Sequence, residues 1–403
     1  MNLPAAGLAT GQSPLDDRLN RALTEIRAAD LYRVRRVVEG AHGVGLAVDG
    51  RTCISFCSND YLGLASDPRV AAAARAALDA VGTGSGAAAL ISGYNREHAR
   101  LEEELADYCG RPRALLFTSG WAANLGTLRA LFGKRDRLLC DELNHASLID
   151  GARLSGASYV RVPHADVGAF ATALAGAAAG GGEIGVVTDS VFSMDGDEAD
   201  VPALAALARP RGATLIVDDA HGFGVFPPQA ARLGADEVDV YIATLGKSLG
   251  AAGAFVAGSE ALIEFLIQRA RTWVFSTAPP PAIAAAARAA LGIIRAEPWH
   301  QARLADNIAR FRRGIAALGD GLPFRLTPST TPIQPLVVGE AADAVALSRQ
   351  LYARGYWVAA IRPPTVPAGT SRLRVTLSAA HTDAQIDRLV EALATIRLPA
   401  FGR

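Results

Sequence analysis

The stretch Tyr241 to Gly253, YIATLGKSLGAAG, decides how this chain is read, and Lys247 is its centre. The sequence has 40 basic residues; only Lys134 and Lys247 are lysine, and the other 38 are arginine. Arginine stays protonated at any workable pH, whereas lysine can shed its proton and attack a carbonyl. Val240 and Ile242 form a short apolar run that leads into Thr244, Gly246, Ser248 and Gly250, which suits a strand ending in a tight polar loop. These neighbours alone leave two readings open: a reactive amine at a strand end, or a lysine that happens to occupy a turn. Lys134, in FGKRD, reads as an ordinary surface-turn lysine.

Working outward, 403 residues suffice for two or three domains with a large core. Half the residues are hydrophobic and a fifth are charged, as in globular enzymes. A formal net charge of +0 supplies no global field for nucleic acid or an anionic membrane. No apolar run approaches the ~18 residues of a membrane span. The opening MNLPAAGLATGQSPLDD places no basic residue ahead of an apolar core and does not read as a secretory signal. Cys53, Cys57, Cys109 and Cys140 form no CxxC pair; they read as small hydrophobes in a reducing compartment, and a cytoplasmic protein without a metal site is expected.

Leu15, Leu19, Leu23 and Ile26 recur at helical spacing and predict an amphipathic helix, followed by the arginine-rich run Leu31 to Arg36. That run is either a solvated helix end or a place where Arg33, Arg35 or Arg36 meets an anionic substrate. Asp49-Gly50 between two short apolar runs predicts a hairpin. Thr83 to Gly93 is a small-residue loop, and Glu97 to Cys109 a helix stopped by Gly110. From Arg113 onward strand, loop and helix alternate. Strand-like runs lie at Ala114 to Phe117 and near Leu138, Tyr159, Val186, Leu215 and Ile242, predicting a mostly parallel α/β sheet. Ala175 to Gly182 reads as a loop tip. A long helical stretch carries Leu291, Ile294, Ile308 and Phe311. Short strands near Leu336, Val358 and Val375 follow, then a final helix with the capping box Thr382 to Gln385. Ile361 to Arg374 reads as a proline-rich loop with three arginines, fit for ordinary ion pairs or for carboxylate capture. The expected division is a helical arm and hairpin start at 1–50, a large domain at 51–290 and a smaller α+β domain at 291–403.

In a parallel sheet, ligands gather beyond the carboxyl ends of the strands. Asp218 ends the run ATLIVD; His221 and Lys247 follow strand ends, as do His145 and the Ser119-Gly120-Trp121 turn at a helix start. A reactive lysine, a strand-end carboxylate and a helix N-terminus together make the kit for pyridoxal 5'-phosphate (PLP). Each element is weak alone, since a strand-end aspartate also serves as a helix cap.

The motifs SNDYLGL (58–64), EEELADYCGRPRALLFTSGWAANLGTL (102–128), NHASLIDGARLS (144–155), VFSMDGD (191–197), VDDAHGFGV (217–225), TLGKSLG (244–250), FSTAPPP (275–281), IQPLVVG (333–339) and RPPTVPAGTSRLRVTLSAAHT (362–382) cover nearly the whole chain. In these the chain resembles the α-oxoamine synthases, PLP-dependent transferases of fold type I, with an aspartate-aminotransferase-like large domain and a smaller C-terminal domain. The last motif resembles the member that condenses L-alanine with a pimeloyl thioester, on CoA or acyl carrier protein, in biotin biosynthesis. The resemblance implies a homodimer with shared sites. It implies Lys247 as Schiff-base and acid–base lysine, Asp218 at the pyridine nitrogen and His145 stacked on the ring. His221 and Ser193 would meet the ring hydroxyl. Gly120, Trp121 and Thr244 would hold the phosphate, joined by Thr277 across the dimer interface. Asn59 and Arg374 would hold the amino-acid carboxylate, and Arg33 and Thr365 would line the acyl side.

Ala87-Ala88 stands where the family usually has Gly-Ser, Asp189 where a glutamate is common, and Trp121 where phenylalanine is. None of these removes a catalytic group. The rival readings are a sibling synthase using glycine and a short acyl-CoA, an aminotransferase, and a non-catalytic scaffold subunit.

Overall fold

In a computed structural model of the chain, residues 13–177, 181–226 and 232–398 are described. Residues 1–12 of the opening stretch and 178–180 of the expected loop tip lie outside the described residues.

The helix Pro14–Ala28 is capped by Ser13 in a capping box with Asp16. It is amphipathic as predicted, yet none of its residues is buried. Strands β1 (Val38–Glu39), β2 (Gly45–Val48) and β3 (Arg51–Ser55) follow. β2 and β3 form the predicted hairpin, with Val48 opposite Arg51. Asp49 and Gly50 both take positive φ, 50° and 73°, as a two-residue type I′ turn requires. β3 then takes the distant strand Tyr356–Trp357 as a parallel partner, so the first residues after position 50 are tied to the C-terminal part of the chain.

The central sheet has seven strands: β4 (Arg113–Phe117), β5 (Arg137–Asp141), β6 (Ser158–Val162), β7 (Ile184–Asp189), β8 (Thr214–Asp218), β9 (Val240–Thr244) and β10 (Ala254–Gly258). Their order is β4-β10-β9-β8-β7-β5-β6. Neighbours from β9 to β6 run parallel, and β10 runs antiparallel to both β9 and β4. All six residues of β7 are buried, because the sheet is covered on both faces; this is why its strands read as continuous apolar runs. The sequence pattern predicts no strand at Ala254–Gly258. One forms there because AFVAG inserts between two strand edges, with all five residues buried.

The long helical stretch expected after residue 290 is made of two helices, Pro281–Ala296 and Trp299–Ala317. They break at Glu297 because the following Pro298 lacks an N–H and disfavours helical backbone before it. A C-terminal antiparallel sheet joins Arg325–Leu326, Ile333–Gly339, Ser371–Thr376 and Ala359–Ile361. Arg372 and Arg374, expected in a loop, lie instead on the strand Ser371–Thr376, which is buried throughout. Alternation sends Leu373 and Val375 into the core and turns the two arginines to the opposite face. The last helix, Asp383–Thr395, carries the predicted Thr382 and Gln385 capping box and buries Ile386, Leu389 and Leu393.

Candidate active site

Parallel pairing delivers the carboxyl ends of β5, β7, β8 and β9 to one edge of the sheet. Lys247 lies on the loop between β9 and β10. That loop is pinned by Leu245 N–H to Gly253 O (2.9 Å), Ala251 N–H to Leu245 O (3.0 Å) and Gly250 N–H to Lys247 O (2.9 Å). Gly250 has φ 62°, and a Cβ there would fall 2.2 Å from the Ala65 nitrogen, so only glycine seats the loop against the turn after SNDYLGL. Lys247 is half-buried. Burial lowers its pKa to about 8, against the pull of Asp218 and Asp189 toward the charged form. Roughly a tenth of such an amine is neutral at pH 7.

Asp218, the last residue of β8, is buried and accepts from Asn124 Nδ2 at 2.7 Å and Ala220 N–H at 2.9 Å. Asp189 ends β7 directly beside it and accepts from His145 N–H at 2.7 Å. Burial and then the neighbouring Asp218 push the Asp189 carboxyl well above its usual range. His145 caps the helix Ala146–Ser155, and its exposed ring meets Trp121 edge to face, with centroids 6.2 Å apart.

Trp121 follows Gly120 at the start of the helix Gly120–Leu131, where Ser119 Oγ accepts from Ala122 N–H at 3.1 Å. Among the described residues, the Gly120 and Trp121 N–H groups have no acceptor, and a Cβ on Gly120 would meet nothing within 4 Å. Thr244 lies nearby in sequence to Lys247, but its hydroxyl donates to Gly253 O at 2.9 Å and accepts from Gly246 N–H at 3.3 Å.

Arg374 reaches the site from the C-terminal sheet. Its Nε donates to Ser193 O at 2.6 Å and its Nη1 to Asn59 Oδ1 at 3.2 Å. Ser193 therefore engages Arg374 through its backbone, not its hydroxyl. Tyr61, a buried phenol that sequence reasoning did not single out, joins this clamp to His221: its OH lies 3.2 Å from Asn59 Oδ1 and 2.6 Å from His221 Nδ1. Burial first, then Lys247 and Arg374, keep His221 well below its ordinary pKa, so it is a neutral imidazole.

Arg33 and Thr365, 332 residues apart, meet at the surface through Nη2 and Oγ1 at 3.3 Å. Thr277 is not joined to the Lys247 cluster by any hydrogen bond among the described residues. It is exposed and bridges to Ala88 of the small-residue loop. Asn124 and Ser147 are further residues missed from the sequence. The signal for Asn124 is a lone amide on the buried side of an otherwise apolar helix.

The donor set fits pyridoxal phosphate. Two free N–H groups at a helix start suit a phosphate, a buried strand-end carboxylate suits a pyridinium nitrogen, and a lysine with a depressed pKa suits an aldehyde. Residues 51–393 match the family model described as aminotransferase class I and II. The 8-amino-7-oxononanoate synthase of Methylococcus capsulatus is 54% identical over 379 residues, spanning 93% of this chain and 96% of that protein. A serine palmitoyltransferase variant from S. paucimobilis, solved with a PLP–myriocin adduct, superposes with a TM-score of 0.88 at 28% identity, covering 95% of this chain and 98% of that one. The 8-amino-7-oxononanoate synthase of Francisella tularensis superposes with a TM-score of 0.73 at 30% identity, covering 85% and 97%. The chain belongs to the aminotransferase class I and II family and, within it, to the 8-amino-7-oxononanoate synthases, PLP-dependent enzymes of fold type I.

Proposed function

We propose that this chain condenses L-alanine with a pimeloyl thioester, with loss of CO2 and free thiol, to give 8-amino-7-oxononanoate for biotin biosynthesis. The observation that carries the reading is Lys247: an amine of pKa about 8, fixed at a strand end beside the carboxylates Asp218 and Asp189.

Gly120 and Trp121 would hold the cofactor phosphate through backbone N–H groups, with the Thr244 hydroxyl as a further donor. Asp218 would pair with the pyridine nitrogen, His145 would serve the ring face, and His221 and Ser193 would serve the ring hydroxyl. When bound, PLP supplies the electron sink that lets the amino-acid Cα carry negative charge. Arg374 and Asn59, already joined at 3.2 Å, bind the alanine carboxylate, to which the planar guanidinium fork is matched. Lys247 takes the Cα proton and later returns one to the product carbon. Arg33 and Thr365 line the approach of the acyl chain, whose carrier is CoA or acyl carrier protein.

Thr277 is exposed and bridges to Ala88, which suits a residue that serves the partner's phosphate site in a homodimer. The exposed Ile91 and Phe275 beside it, 80% and 70% accessible, suit the same interface. We read 1–50 as an arm, 51–290 as the cofactor domain and 291–403 as a smaller domain. No helix among the described residues is long and apolar enough to cross a membrane, and the cytoplasm is the proposed location.

The test is to supply L-alanine and pimeloyl-CoA to the PLP-loaded protein and follow thiol and CO2. Release of both with the C9 amino-oxo acid is expected. Turnover only with glycine and a short acyl-CoA, or amino-group exchange without CO2, overturns the substrate assignment.

A further inference from the structure

Behind the cofactor residues runs a chain of four polar side chains: Asp218, Asn124, Ser147 and His145. Asn124 is 1% exposed and Ser147 0%. Asn124 Nδ2 lies 2.7 Å from Asp218 Oδ2 and 2.8 Å from Ser147 Oγ. Ser147 Oγ lies 2.7 Å from His145 Nδ1, and Ser147 N–H reaches the same nitrogen at 3.3 Å.

The donor directions follow by elimination. A carboxylate only accepts, so the Asn124 amide must turn its NH2 toward Asp218. That NH2 has two hydrogens; the second goes to Ser147 Oγ. The serine oxygen then accepts, and its own hydrogen has one acceptor left, His145 Nδ1. Nδ1 is thus an acceptor twice over, and the proton of the neutral imidazole sits on Nε2. Asn124 Oδ1 is left buried with no partner, which the opposite amide orientation would relieve only by setting oxygen against the Asp218 carboxylate.

We propose that Asn124 and Ser147 are positioning residues, a shared tether that holds His145 as the Nε2-protonated tautomer while orienting Asp218. The proposal rests on the reading of Asp218 and His145 as cofactor residues. Its purpose is electrostatic. The residue at the ring nitrogen must be an anion, and the one against the ring face must stay uncharged so as not to oppose the protonated ring. One amide and one hydroxyl serve both needs. The other titratable groups facing His145 are Asp189, through the His145 backbone N–H, and Lys247.

The first test needs no variant of the tether. In protein labelled with 15N-histidine, with the His145 signals assigned by their loss in His145→Gln, the ring is expected to keep an unprotonated Nδ1 and a protonated Nε2 from pH 6 to 9, with and without PLP. A protonated Nδ1 overturns the tether. Ser147→Ala is expected to convert the signals to a mixture of tautomers; unchanged signals count against it. The second test is PLP affinity, read by titration of its visible band. Asn124→Ala is expected to weaken binding about 10-fold or more. Asn124→Asp, nearly isosteric but setting a second carboxylate against Asp218, is expected to be worse than Asn124→Ala. A residue serving only to fill space gives the reverse order, and that order overturns the proposal. Should wild-type protein form no visible band with PLP, the cofactor reading fails, while the tautomer measurement still decides the tether.

Discussion

Asp189 and Asp218 stand opposite each other as register partners at the ends of the parallel strands β7 and β8. Two buried carboxylates side by side resist ionising together. Asp218 accepts two donors and Asp189 one, and Asp189 is the one pushed well above the usual range. A neutral amide at 189 keeps the oxygen that His145 N–H uses. Asp189→Asn is therefore expected to lower kcat/KM by less than about 10-fold, whereas Asp218→Asn is expected to lower it by about 100-fold or more. Steady-state thiol release measures both; equal losses would refute the division of labour.

In the proposed mechanism, removing the amine at 247 removes both the covalent attachment and the proton carrier. Lys247→Ala is expected to bind PLP without the yellow band of the wild type and to lose about 1000-fold or more in turnover. An absorbance spectrum after adding PLP checks the first point. A yellow variant protein would show that another amine holds the cofactor.

Attachment requires the neutral amine. With Lys247 at about 8, the rate of cofactor uptake by cofactor-free protein is expected to rise with pH and level off above about 8. Stopped-flow mixing with PLP from pH 6.5 to 9.5 reads this. A rate that keeps climbing toward 10.5, the ordinary lysine value, would mean that the amine is not depressed.

Arg374 is proposed to hold the substrate end of the site, and among the described residues it makes no hydrogen bond to the Lys247 loop. Arg374→Lys keeps the charge but loses the fork. It is expected to raise the KM for alanine about 10-fold or more while changing PLP affinity far less. Parallel titrations with alanine and PLP give the two numbers, and equal weakening of both would assign Arg374 to the scaffold.

His164 offers a stability test away from the site. It lies 3.0 Å from Asp141 and 2.7 Å from Asp197. Burial works against its charge, but the two carboxylates outweigh that and raise its pKa to about 10. Its folded value exceeds the ordinary 6.5, so its contribution is complete below pH 6.5 and is lost as pH rises toward 10. Urea midpoints of the wild type are expected to fall across that window more steeply than those of His164→Gln.

The strand ends carrying Asp218 and Lys247 were legible because parallel strands buried on both faces leave unbroken apolar runs, and chemistry collects where those runs stop. The Asp49-Gly50 hairpin was legible because its turn demands two positive φ angles. Arg372 and Arg374 were read into a loop because the prolines before them mask the alternation of Leu373 and Val375. Tyr61, Asn124 and Ser147 were hidden for another reason. Each is unremarkable within its own element, and its role exists only through a partner: His221 lies 160 positions from Tyr61, and Asp218 lies 94 from Asn124.

The clamp between Asn59 and Arg374 spans 315 positions of the chain. On the ribosome, a nascent chain that has made everything through β10 already owns Lys247, Asp218 and the turn at Gly120, but it lacks Arg374. On the proposed roles, the groups for the cofactor are thus made before the group for the amino acid, and the clamp closes only once the strand Ser371–Thr376 exists.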